Sequence, residues 1–278
     1  MRRRAVMRGL VGSALVPMYR SVAASPSVWD QVTQTGIIRY GLIPNRVPYQ
    51  WEKDGKLTGL SVRIGADLAA ALEKKLGRDI TVQHVITTWA TLILDLQAGK
   101  SDCMFGLTDT PERRKAVDMF GPLYAVPDVA VLRADGPRGT TWEDFNRPEV
   151  TVSVTMGTSD EEAVRRFLPK ATEHALKTAT EAILDVQSGN ASVFVTPLLI
   201  GAPLMQRNPN LSRMVVLQPP YALPSGGAAR KDDDGRFAAF AADWARDFHQ
   251  SGRSRQAVID SMAECGFDMG KLEGGVAF

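Results

Sequence analysis

The chain has 278 residues, 44% hydrophobic and 23% charged, which excludes a disordered, collagen-like or coiled-coil chain. The length accommodates one large domain or two lobes of roughly 100–150 residues, with a core that needs neither disulfide nor metal. The formal charge of +2 comes from residues 1–24, which carry five arginines and no acid; the remainder holds 28 basic against 31 acidic residues and no basic stripe, which excludes a nucleic-acid or anionic-membrane binder.

Residues 1–24 read as an export signal. A basic start (Arg2, Arg3, Arg4, Arg8) precedes an apolar stretch, 9–18, too short to span a bilayer. Val22, Ala23 and Ala24 offer small side chains for cleavage before Ser25. The Arg3-Arg4 pair suits the twin-arginine route as well as the general secretory one. No cysteine near the cleavage point could carry a lipid, and no later segment is apolar enough to insert in a membrane. The expected location is the periplasm.

Short apolar strands then alternate with amphipathic helices, the pattern of an α/β fold. Residues 37–43 predict a strand. Ser61 is a candidate cap for a helix whose Ile64, Leu68, Leu72 and Leu76 share a face and which Gly77 ends. Residues 80–86 predict the next strand; Trp89, Leu92, Ile93 and Leu96 predict the apolar face of a helix closed by Gly99; residues 102–107 predict a third strand. Thr110-Pro111-Glu112 starts a helix with a cap, a proline at the first position and an acid in the first turn. After residues 129–133 a turn-rich break, Asp135-Gly136-Pro137-Arg138-Gly139, restarts the pattern. Residues 150–154 predict a strand, and Gly157-Thr158-Ser159 leads into a helix opening with Asp160, Glu161 and Glu162, read as complements to the helix dipole.

Ile93-Leu94-Asp95-Leu96-Gln97-Ala98-Gly99 recurs as Ile183-Leu184-Asp185-Val186-Gln187-Ser188-Gly189, each copy leading from helix through glycine into strand. The repeat predicts two related α/β lobes. In the tail, Phe237, Phe240, Trp244 and Phe248 predict a helix face packed on a lobe.

No nucleophile elbow, metalloprotease helix, dinucleotide fingerprint or phosphate loop occurs. His84, His174 and His249 lie on separate elements, Cys103 and Cys265 read as two free thiols, and neither a metal nor a cofactor is expected. Two loops suit an anion. Gly106-Leu107-Thr108-Asp109-Thr110-Pro111-Glu112-Arg113 offers hydroxyls, backbone N–H groups and a guanidinium able to grip a carboxylate with two parallel hydrogen bonds. Gly157-Thr158-Ser159 sits at a helix N-terminus, where free N–H groups favour negative charge.

In this order and spacing the motifs resemble the amino-acid-binding, family 3 type of periplasmic solute-binding protein of ABC importers, from Trp29 to about Gly252. The matching segments include Gly55-Lys56-Leu57-Thr58-Gly59 with Asp67, Trp89 with Gly99-Lys100-Ser101-Asp102, the loop from Thr108 to Arg113, Phe120-Gly121-Pro122-Leu123-Tyr124, Thr141-Trp142-Glu143-Asp144-Phe145, and the stretch from Val154 to Thr158. The resemblance implies a type II periplasmic-binding fold of two lobes joined by two crossover strands, with the ligand clamped between them. Lobe one would span 25–130 plus 224–278, lobe two 131–223, with crossings at 128–133 and 218–229. It also implies a monomer that captures a small carboxylate-bearing ligand and presents it to a membrane permease.

By the same resemblance Arg113 would hold the ligand carboxylate, helped by Thr108 and the Gly106 backbone from lobe one and by Thr158 from lobe two, with Arg46 and Thr196 as further expected ligand contacts. Trp89 would touch the ligand side chain, and Tyr49 would be core. Departures from the family pattern fall at Ile43 and at Pro197, beside Thr196, where acids that meet an ammonium are expected, and at Arg46, where an aromatic lid is expected. These predict a cleft more positive than that of an amino-acid binder and a preference for organic anions, with Asp109 and Asp128 as substitute acids. The alternatives are a ligand-sensing receptor domain and a periplasmic enzyme like cyclohexadienyl dehydratase. The catalytic glutamate of that enzyme would match about Ile200, in a run, 197–204, that has no acid.

Overall fold

Two mixed five-stranded sheets organise the chain. The structure, a computed structural model, describes residues 26–208 and 210–269; the export-signal reading lies outside the described residues. The first run of elements is α1 (Val28–Thr35), β1 (Ile37–Leu42), a hairpin of β2 (Trp51–Lys53) and β3 (Lys56–Thr58), α2 (Leu60–Leu76), β4 (Thr81–Ile86), α3 (Leu92–Gln97), β5 (Cys103–Thr108), α4 (Pro111–Ala116) and β6 (Asp118–Ala125). The second is β7 (Asp128–Arg133), α5 (Trp142–Phe145), β8 (Thr151–Thr155), α6 (Ser159–Phe167), β9 (Thr172–Leu176), α7 (Ala179–Ser188), β10 (Val193–Pro197), α8 (Leu198–Arg207) and β11 (Leu211–Val216). The chain then returns with β12 (Pro224–Ala229), α9 (Arg236–Gln250) and α10 (Arg253–Glu264).

The first sheet has the order β4-β1-β5-β12-β6 and the second β11-β7-β10-β8-β9. This is the type II periplasmic-binding architecture of two α/β lobes. The chain leaves the first sheet after Ala125 and comes back at Pro224. The two passages are bonded to each other: Asp128 N–H donates to the Tyr221 carbonyl at 3.0 Å, and Leu217 N–H donates to the Asp128 carbonyl at 3.3 Å.

Local chemistry sets most element ends. Thr110 caps α4 through the Arg113 N–H, with Pro111 at the first helical position, as expected. α2 begins differently: Gly59, not Ser61, stands at the cap, in a backbone conformation of φ 115° where a side chain would collide with the Tyr49 carbonyl. Ser61 lies one residue inside the helix and makes no cap bond. Gly77 ends α2 in the left-handed conformation, as its position predicts. On α9, Phe237, Trp244 and Phe248 are buried while Phe240 packs edge-on to Trp29. Trp244 also meets Phe105 and Phe120, seating the tail helix on the first sheet.

The internal repeat occupies the same place in both lobes. α3 leads through Gly99 into β5, and α7 through Gly189 into β10. The two matched aspartates each tie their helix to a neighbouring segment: Asp95 accepts from Thr87 and Lys100, both at 2.7 Å, and Asp185 pairs with His174 Nδ1 at 2.9 Å. A buried ion pair anchors the entry to β5. Asp102, fully buried, accepts from the Arg39 backbone N–H at 2.9 Å and from Arg39 Nε at 3.0 Å and Nη2 at 2.5 Å. Both cysteines are free thiols.

Candidate functional site

A cavity of about 320 Å³ opens between the C-terminal ends of the two sheets, a size suited to a small molecule. Ile43, Arg46, Trp89 and Arg113 line it from the first lobe; Thr158, Ser159, Asp160, Lys177, Pro197 and Ile200 line it from the second.

Arg113 projects from the first turns of α4, and its Nη1 donates to the Thr108 carbonyl at 2.8 Å, which fixes the guanidinium against the end of β5. Burial pulls the Arg113 pKa below its ordinary value, while Glu162 and Asp160 oppose that shift. Thr158 lines the cavity as the cap of α6, but its hydroxyl is already engaged, donating to the Thr155 carbonyl at 2.7 Å and accepting from the Glu161 N–H at 3.3 Å. Trp89 lines the cavity from a turn before α3, not from the helix face expected for it, because the helix starts only at Leu92. Arg46 lies between the rings of Tyr49 and Trp89. Tyr49 is core, as expected, with one ring face turned to that guanidinium.

Three expected site residues do not line the cavity. Thr108 instead bridges the lobes, its hydroxyl 2.9 Å from that of Ser159. Gly106 lies behind Arg46, whose Nη1 and Nη2 both donate to its carbonyl at 3.3 Å. Thr196 is buried in β10 with its hydroxyl unpartnered; strand alternation turns it away while Pro197 faces the cavity. Gly106 has φ 74°, and a Cβ there would come within 3.0 Å of Arg46 and Tyr49. Gly106→Ala should therefore cost about 1–2 kcal/mol from the left-handed backbone alone, measured by urea denaturation. An unchanged midpoint would show that this backbone is not constrained.

Among the residues missed from the sequence is Asp160. Its reading as a dipole partner is incomplete: Asp160 is buried and lines the cavity. Burial raises its pKa to about 6, against the opposing pull of Arg46, the Ser159 hydroxyl and Arg113. Asp128, also buried, is pushed well above the usual carboxylate range by burial and by the Asp160 charge. Asp109 is engaged instead by Arg114. Ile43 and Pro197, where the resemblance implies acids, do face the cavity with apolar groups. Lys177, just past β9, was also missed. The available signal for Asp160 was its place in the first turn of a helix whose N-terminus faces the candidate anion site. An acid there answers the dipole but competes with a bound anion.

Among the described residues no group of three potential metal ligands is assembled, and no helix is long and apolar enough to cross a membrane.

Comparison with known proteins agrees with this geometry. The ancestral amino acid-binding protein AncCDT-1, a precursor of cyclohexadienyl dehydratase, is similar in structure with a TM-score of 0.70 at 32% identity, over 83% of this chain and 97% of its own. A mutant of ArgBP from T. maritima gives a TM-score of 0.71 at 25% identity, over 84% and 98%. Cyclohexadienyl dehydratase from Pseudomonas aeruginosa is 24% identical over 247 residues, 86% of this chain and 87% of its own. The family described as bacterial extracellular solute-binding proteins, family 3, matches residues 38–256. With two lobes, an interlobe cavity and a match across most of its length, the chain belongs to that family.

Proposed function

We propose that the protein captures a small carboxylate-bearing solute, an amino acid or a related organic acid, in the periplasm and delivers it to the membrane permease of an ABC importer. The observation that carries this reading is Arg113: a guanidinium lining the interlobe cavity, braced on the Thr108 carbonyl, with no carboxylate at ion-pair distance among the described residues. A ligand carboxylate supplies the missing partner. Contacts from both lobes favour the closed arrangement, in which Thr108 and Ser159 meet, and so shift the population toward the form a permease recognises.

Ile200 supports binding over catalysis, because it lines the cavity with an apolar side chain where the resemblance implies a catalytic glutamate. Incubated with prephenate, the protein should leave it unchanged. Formation of an aromatic product would replace this reading with an enzymatic one.

Asp160 makes binding pH-dependent. The groups around it are Arg46, Arg113, the Ser159 hydroxyl and Asp128. Below about pH 6 its carboxyl is protonated and does not oppose an anion; above, it is ionised. Affinity for an anion without an ammonium group should therefore fall about tenfold as pH rises through about 6. A ligand whose ammonium rests on Asp160 should show the opposite slope. Stability follows the same sign: a raised folded-state pKa means that the native chain holds a proton the unfolded chain has lost, so stability falls as pH rises from about 4 to about 6. Asp160→Asn should reduce both slopes, read by calorimetry and urea denaturation at about pH 5 and about pH 8. Slopes unchanged in the variant would remove Asp160 from this account.

A further inference from the structure

Arg46 is held in an unusual way. Its guanidinium carbon lies 3.8 Å from the centroid of the Tyr49 ring and 4.6 Å from that of Trp89, so the cation occupies a slot between two aromatic faces. Among the described residues the guanidinium's hydrogen bonds are the two long ones to the Gly106 carbonyl, and its buried Nε has no partner. Arg39, Arg63, Arg165 and Arg253 each have a carboxylate at ion-pair distance. Among the described residues, Arg46, Arg113 and Lys177 have none and all three line one cavity, whereas other cations without one, such as Arg78, Arg213 and Arg230, lie outside it. Arg46 and Arg113 reach it from the first lobe and Lys177 from the second, with Asp160 the one carboxylate in the lining. Cations gathered in a partly desolvated cleft are unfavourable unless a counter-charge enters with the ligand.

Resting on the reading that Arg113 takes a ligand carboxylate, we infer that the ligand carries a second anionic group, bound by Arg46, with Lys177 closing on it from the opposite lobe. Arg46 also selects against ligands with a cationic side chain. The slot between Tyr49 and Trp89 is suited to a cation and is already filled by one from the chain itself. A ligand guanidinium or ammonium at that end of the cavity would meet Arg46 as a like charge, without an aromatic face to receive it. A second carboxylate there finds a planar fork already held flat and positioned.

The test is calorimetry on the whole protein with glutarate, 2-oxoglutarate and L-glutamate, set against butyrate and L-arginine. At least one diacid should bind about 100-fold more tightly than butyrate. Arg46→Ala should erase that difference and improve binding of L-arginine. Arg46→Met, which fills the slot without charge, should lose the diacid preference equally, separating charge from packing. Lys177→Ala should weaken diacid binding several-fold and leave butyrate unaffected. Equal affinity for butyrate, no binding of any diacid, or unchanged selectivity in both Arg46 variants would overturn the inference. L-Arginine bound tightly and lost in Arg113→Ala would overturn this inference alone and leave the carboxylate reading standing. Diacid binding indifferent to Arg113→Ala would instead remove the carboxylate reading.

Discussion

Arg113→Ala should weaken ligand binding by about 2–5 kcal/mol, roughly 30-fold to several thousand-fold. The substitution removes a charge-assisted, two-point contact and leaves a ligand carboxylate facing a cleft that has lost its braced donor. The loss should be one of affinity and not of folding, because Arg113 makes one side-chain bond to the protein, to the Thr108 carbonyl, and its exposed helix α4 contributes no buried residue. Arg113→Lys should recover only part of the affinity, since an ammonium lacks the planar fork. Calorimetry on both variants with a ligand of the wild-type protein decides the matter. Unchanged affinity in Arg113→Ala would end its assignment as the carboxylate anchor.

Asp102→Ala should be the most damaging single change to stability outside the apolar core, at about 3–5 kcal/mol. The carboxylate is wholly buried and ties three segments together: it accepts from the backbone and side chain of Arg39 in β1, from Gln31 in α1 at 3.4 Å, and it stands at the entry to β5. Deleting it leaves the partly buried Arg39 guanidinium without its counter-charge. For a protein of this size the expected fall in Tm is roughly 6–20 °C. Asp102→Asn keeps the shape and should cost less. Ligand affinity in folded Asp102→Ala should stay near that of the wild type, because the pair lies outside the cavity lining. A loss below about 1 kcal/mol in urea denaturation would show that the pair is energetically idle.

The fold was legible because its signals are local. Thr110 and Pro111 start a helix by themselves, Gly77 ends one, and the two copies of the helix–glycine–strand segment mark matching places in both lobes. Arg113 was legible for the same reason, as a cation one turn into a capped helix at the end of a strand. The site as a whole was less so, because it is made by juxtaposition across the cleft. Asp160 is an ordinary first-turn acid until burial and two arginines from the other lobe surround it. Thr196 and Pro197 are neighbours, yet strand alternation buries one and turns the other into the cavity, so an assignment off by one residue changes the chemistry. Trp89 depended on where α3 begins, and a difference of one turn moved it from a helix face to the cavity wall.

The place of β12 sets the order in which the molecule can be completed during synthesis. Among the described residues β12 is the last strand, yet it lies between β5 and β6 and is the one strand paired with β6. The strands of the second sheet, β7 to β11, are all made before it. A nascent chain that stops short of Pro224 can close its second sheet while the first stands divided, with bare edges on β5 and β6 open to other chains. α1 waits as well, since the Val28 N–H finds its acceptor on Asp232, 204 residues later. The half of the cleft that carries Arg46 and Arg113 is thus assembled last, by contacts of high sequence separation that slow its formation.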